Sequence, residues 1–149
     1  MKKFFQETNI KEEKGDLFSI ENSSPIFAHC VSSDGKMDAG IAKQFVRRYG
    51  DGLRDSVEEF EVGDAAPYKN GDTKVYNLVT KEKYWKKPTF RSIQSSLQSL
   101  KNRLDENNEE KVYMPRIASG LDGKDWGKVK AKIKDVFDGS NIQITIRFL

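Results

Sequence analysis

The chain carries one cysteine and one histidine in 149 residues, and it has no apolar run near the ~20 residues of a membrane span. The lone Cys30 excludes an internal disulfide and suits a reducing compartment. A cytoplasmic location is therefore expected, or a host cytoplasm if the chain is viral; a phage or bacterial origin would fit the Lys/Asn/Ser-rich composition. No Cys/His cluster has metal-ligand spacing. His29 lies inside the apolar run SPIFAHCV and reads as a satisfied core histidine rather than a catalytic base. Neither GxGxxG nor a Walker A sequence is present, which argues against ordinary dinucleotide and nucleoside triphosphate sites. The leading segment MKKFFQETNI has positive charge without an apolar h-region, so no secretory signal is expected. The net charge of +3 is too mild for a dedicated DNA binder.

What is present suits one soluble domain spanning 1–149. Charged residues make up 33% of the chain, and the 36% hydrophobic residues come in compact runs. A domain this long buries roughly 68–70% of its unfolded surface and needs no metal or disulfide staple. Ser24 to Val31 reads as a buried strand. Ile41, Ala42, Phe45, Val46 and Tyr49 mark one face of a helix over Ala39 to Tyr49. A short helix is expected over Asp51 to Phe60, and a strand over Lys74 to Thr80 after a KNGD turn. Phe90, Ile93, Leu97, Leu100 and Leu104 give the clearest amphipathic helix, beginning at Thr89. Lys111 to Arg116 reads as a strand, Lys124 to Phe137 as a helix and Ile142 to Phe148 as the last strand. The segment before Asp16, with Phe4, Phe5 and Ile10, is expected to add one or two edge strands. This alternation predicts a three-layer α/β/α domain with a mixed, largely parallel sheet.

Ligands of such sheets bind beyond the carboxyl ends of the strands. The loops at those ends are Lys14 to Phe18, His29 to Ala42, Thr80 to Pro88 and Arg116 to Gly123, and every candidate functional residue falls in one of them. Gly35 and Gly40 flank the start of the first helix, and Ser119 with Gly120 precede the last. Small residues there let backbone N–H groups approach an anion, so two such loops on one rim suit a diphosphate. Lys81, Lys83, Lys86 and Lys87 surround Tyr84 and Trp85, either as a solvated loop or as an attractor for a pyrophosphate or nucleic-acid backbone. Taken singly, Lys81 reads as a surface lysine and Asp122 as a helix cap. Asp16 reads as a turn cap or as a partner for an adenine amino group.

KGDLF, AHCVSSDGKMDAGIA, YNLVTKEK and MPRIASGLD occur in an order that resembles the macrodomain fold, in particular its branch of terminal ADP-ribose protein glycohydrolases and the related bacterial antitoxin domains. The resemblance runs from about Ile10 to Leu149. It implies an ADP-ribose site, with Asp16 on the adenine amino group and Leu17 beside the ring. Ser32, Met37, Gly40 and Ile41 would line the first phosphate and distal-ribose loop, with Thr80 nearby. Arg116, Ile117, Ala118, Ser119, Gly120 and Leu121 would form the second loop, and Leu149 would close the adenosine end. Lys81 would be the nucleophile and Asp122 the acid/base group, with neither metal nor cofactor. Two positions depart from the family pattern: Asp38 and Ala118 stand where glycine is common.

The expected activity is hydrolytic removal of mono-ADP-ribose from acidic side chains or other O- or N-linked acceptors, O-acetyl-ADP-ribose and DNA-linked ADP-ribose included. ADP-ribose and ADP-ribosylated protein, or ADP-ribosylated DNA, are the expected partners of a monomer. The rival readings are a non-catalytic ADP-ribose-binding module and an ADP-ribose 1″-phosphate phosphatase.

Overall fold

A computed structural model describes residues 9–149. Six strands form one sheet in the order β1-β6-β5-β2-β4-β3: β1 Ile10–Lys14, β2 Ile26–Ser32, β3 Ala65–Asn70, β4 Thr73–Lys81, β5 Lys111–Met114 and β6 Gln143–Phe148. All neighbours pair in parallel except β3 with β4. Helices α1 (Gly40–Tyr49) and α2 (Gly52–Asp55) cover one face, and α3 (Phe90–Glu106) with α4 (Trp126–Phe137) cover the other. The result is the expected three-layer α/β/α arrangement. Among the described residues one edge strand precedes Asp16; Phe4 and Phe5 lie outside them.

Alternation along the strands feeds two cores. Phe27 and Val31 of β2, with Val75 and Val79 of β4, pack against Phe45, Val46, Leu53 and Val57. Ala28, Tyr76, Leu78, Val112 and Met114 face Ile93, Leu97, Leu100, Leu104, Ile133 and Phe137. The 3.6-residue spacing of α3 is what aims its four aliphatic side chains at the sheet. Its start is fixed by a capping box, in which Thr89 Oγ1 accepts from Ser92 N at 2.9 Å and Ser92 Oγ accepts from Thr89 N at 3.1 Å.

Two segments differ from the sequence reading. The helix expected over Asp51 to Phe60 stops at Asp55 and continues as turns. Ser56 explains the stop, because its hydroxyl donates to Leu53 O at 2.5 Å and competes with the helical ladder. The second difference is β3, an added antiparallel edge strand that contains Pro67. Proline lacks the ladder donor and is tolerated at an edge. The KNGD turn is thus the tip of a hairpin, with Asn70 opposite Thr73.

Candidate active site

The rim of the sheet is shaped by an irregularity in β4. Val31 pairs with Val79, but Ser32 pairs with Lys81, so Thr80 is an extra residue. Such bulges re-aim a strand end. The Thr80 carbonyl lies 2.7 Å from Ser92 Oγ, which ties the irregular strand end to the first turn of α3. Lys81 therefore leaves the strand from a fixed base, and Ser33 N donates to its carbonyl at 2.9 Å.

Asp122 arrives from the loop after β5. It does not cap the following helix, which begins at Trp126; Asp125 takes that role, its carboxylate accepting from Lys128 N at 3.0 Å. Asp122 is thereby left for Lys81. Lys81 Nζ donates to Asp122 Oδ1 at 2.7 Å, and each side chain keeps only 14% of its exposure. A charge-assisted bond this short, largely screened from solvent, fixes the two side chains against each other.

The pair sits in the wall of a cavity of about 780 Å³, a size suited to a nucleotide-sized ligand. Ser32, Met37, Gly40, Ile41, Arg116, Ile117, Ala118, Gly120 and Leu121 line it with them. Leu121 closes the distance between the two loops: a Cβ at Gly40 would meet Leu121 Cδ1 at 3.2 Å. Other expected residues lie elsewhere. Asp16 is at the β1–β6 end of the rim, where its carboxylate accepts from Phe18 N at 3.0 Å, and Gly15 N bonds Phe148 O at 2.7 Å. Leu149 follows β6 and is 89% exposed, whereas Leu17 is buried in the core beneath α1. Thr80 is buried with its hydroxyl 3.5 Å from Val31 O, and Ser119 Oγ turns back toward Ile117 O at 3.3 Å.

The two departures from the family pattern have local partners. Asp38 is drawn to Arg54 at 2.8 Å and lies 3.9 Å from Lys36, so its charge is partly compensated at the cavity edge. Ala118 adopts φ 59°, the left-handed conformation that glycine takes without cost. Its carbonyl accepts from Lys124 N at 2.9 Å, which holds the loop in that shape. Arg116 belongs to the rim by anchoring rather than by freedom. Its Nε donates to Glu12 at 2.7 Å, and its guanidinium lies 3.8 Å from the Phe148 ring centre.

Several lining residues were not singled out by the sequence reading. Cys30 forms part of the floor, and burial pushes its thiol up to about 12, aided by the Asp122 charge. Lys36 is another, and it lines the cavity beside Tyr84, Trp85, Lys86 and Lys87, the cluster that the sequence did offer as an attractor for a pyrophosphate. Lys87 Nζ donates to Leu121 O at 2.8 Å, joining the β4–α3 loop to the loop that bears Asp122. Asp34 anchors the same β4–α3 loop, accepting from Tyr84 N at 2.9 Å and from Ser32 Oγ at 2.5 Å. The SSDG turn was the available signal for Asp34. His29 is the core residue its surroundings predicted: Nε2 donates to Asn77 Oδ1 at 2.8 Å, and its ring packs 4.2 Å from that of Phe45.

The family model described as Macro domain matches residues 28–133. The chain belongs to the macro domain family. It is 37% identical over 140 residues to human ADP-ribose glycohydrolase OARD1, covering 93% of this chain and 91% of that protein. Among solved structures, the macrodomain of Mycobacterium tuberculosis DarG superposes with a TM-score of 0.82 at 24% identity, covering 93% and 96% of the two chains. Thermosipho africanus DarTG, solved in complex with ADP-ribose, superposes at 0.80 with 20% identity over 93% of this macro domain and 41% of that chain.

Proposed function

We propose that this macro domain is an ADP-ribosyl hydrolase that removes mono-ADP-ribose from carboxylate side chains, with Lys81 as nucleophile and Asp122 as its proton partner. The observation that carries the reading is the 2.7 Å Lys81–Asp122 contact in the wall of the cavity. A module that only bound ADP-ribose would have no use for a half-hidden lysine–aspartate pair beside the sugar. The similarity to human ADP-ribose glycohydrolase OARD1 supports the same activity.

In this reading the diphosphate lies between the Gly40 and Gly120 loops, and the distal ribose faces Lys81. Asp122 takes a proton from the Lys81 ammonium across the short bond, freeing the amine lone pair. The amine attacks the anomeric carbon, and the carbon–oxygen bond to the acyl group breaks, leaving the acceptor as a carboxylate. The C–N adduct opens to a Schiff base. Water then adds to the same carbon, one of its protons passes to the nitrogen and the other to solvent, and the C–N bond breaks to release ADP-ribose, after which Asp122 returns its proton to the Lys81 amine. One water is consumed for each bond cleaved.

The test is turnover of ADP-ribosyl glutamate, ADP-ribosyl thymidine, O-acetyl-ADP-ribose and ADP-ribose 1″-phosphate by wild type, Lys81→Ala and Asp122→Ala. The expected result is a fall of roughly 10²–10⁴ or more on the glutamate ester in both variants, with ADP-ribose binding retained. Tight binding of ADP-ribose with no product from the wild type would leave only the binding module. Release of free phosphate alone would indicate the phosphatase.

A further inference from the structure

A second hollow, of about 520 Å³, opens on the far side of the β4–α3 loop. It shares Lys81, Lys86 and Lys87 with the main cavity, and its remaining walls come from Ser33, Phe60–Val62, Thr80, Glu82 and the start of α3 at Thr89 and Ser92. Its position follows from the strand order. Asp16 stands at the β1–β6 end of the rim, the two small-residue loops follow β5 and β2, and Lys81 follows β4. The next strand is β3, and because β3 runs antiparallel its leading residues Phe60–Val62 reach the same rim. The hollow is therefore the next position along one line, directly beyond the lysine.

We infer that this hollow is the acceptor subsite and that it receives the polypeptide flanking the ADP-ribosylated side chain. The inference rests on the reading of Lys81 as the attacking group. A ligand that fills the main cavity up to its anomeric carbon places the bond to be cleaved at Lys81, and whatever hangs from that bond enters the space that Lys81 also lines.

Charge selects the occupant. Lys81 and Lys86 are paired with the Asp122 carboxylate at 2.7 Å and the Glu82 carboxylate at 3.5 Å, while Lys87, bonded to the neutral Leu121 carbonyl at 2.8 Å, keeps its charge. Glu61 adds a further carboxylate to the wall. A nucleic-acid strand would draw a regular series of phosphates past Glu61 and Glu82, with Lys87 as the one lysine of the hollow not paired with a carboxylate, among the described residues, to meet them. The exposed aromatic pair that suits base stacking, Tyr84 and Trp85, lines the main cavity instead. A peptide offers neutral amides and apolar side chains to Val62, which is 39% exposed, and to Phe60.

The experiment compares kcat/KM for ADP-ribosyl glutamate as the free amino acid, the same ester within a short peptide, and an ADP-ribosylated oligonucleotide, using wild type and Val62→Trp, which fills the hollow from an exposed position. The peptide should be the better substrate for the wild type, and Val62→Trp should lower its kcat/KM roughly tenfold more than that of the amino acid, the loss of about one good buried contact. Glu61→Lys should change the peptide preference without improving the amino acid. Equal effects of Val62→Trp on peptide and amino acid would overturn the subsite. A selective loss on the oligonucleotide would assign the hollow to nucleic acid and overturn the peptide. Absence of Lys81-dependent cleavage of any substrate would instead bring down the hydrolase reading, and this inference with it.

Discussion

Acid should unfold this domain in two stages, and His29 should set the first. Burial lowers the His29 pKa from 6.5 to about 4, the Asn77 bond opposing only in part. Between those values the unfolded chain takes up a proton that the native state refuses, so stability is complete above the unfolded value and declines as pH falls toward 4. At 1.36 kcal/mol per unit the shift amounts to about 3 kcal/mol, a large share of a typical 5–15 kcal/mol. The native state accommodates no imidazolium here: Nδ1 is buried without a hydrogen-bond partner among the described residues, and Nε2 already serves Asn77. Carboxylates act only lower down. Glu13 is held below the usual range by Arg147 and Lys11. In Glu12, bonds from Lys130, Arg116 and Trp126 outweigh the opposing effect of burial, as those from Ser32, Tyr84 N and Lys36 N do in Asp34. The assay is urea unfolding from about pH 7 to about pH 4.5 for wild type and His29→Leu. The variant should be weaker at neutral pH, having lost the Asn77 bond, yet nearly flat across the window. Parallel slopes for the two proteins would refute the assignment.

Three further outcomes follow from the geometry. Gly40→Ala should weaken ADP-ribose roughly fivefold and also lower Tm by a few degrees, because its Cβ presses on Leu121 at 3.2 Å and φ is 59°; calorimetric titration reads the first and thermal unfolding the second. Asp38→Asn should strengthen ADP-ribose binding roughly two- to fivefold at low salt, by removing a carboxylate at the rim and freeing Arg54, and the gain should fade as salt is raised. Ser92→Ala removes half of the capping box and the contact with the Thr80 carbonyl, so thermal unfolding should register a loss of about 1–2 kcal/mol, or a few degrees in Tm.

The sequence was informative wherever a pattern repeats. Ile93, Leu97, Leu100 and Leu104 disclose α3 because helical spacing survives any choice of neighbours, and the apolar runs of β2 and β4 disclose buried parallel strands. Edge and turn structure was hidden. Ala65–Asn70 carries one proline and two polar residues and becomes a strand only because β4 offers it a partner. Asp122 was ambiguous for a comparable reason: its local sequence suits a cap as well as a catalyst, and only the start of α4 at Trp126 separates it from Asp125. Lys81 gave no sign of its orientation, since the extra residue at Thr80 is a property of pairing with β2. The Lys87–Leu121 contact spans 34 positions and has no local signature.

Ala118 has a consequence for ligand affinity. A glycine there would leave the 116–123 loop many shapes to explore and many to surrender on meeting a diphosphate. The methyl group narrows that freedom, and the Lys124 bond selects the left-handed form during folding. The strain is thus absorbed before any ligand arrives, and association forfeits less disorder than it would through a softer loop.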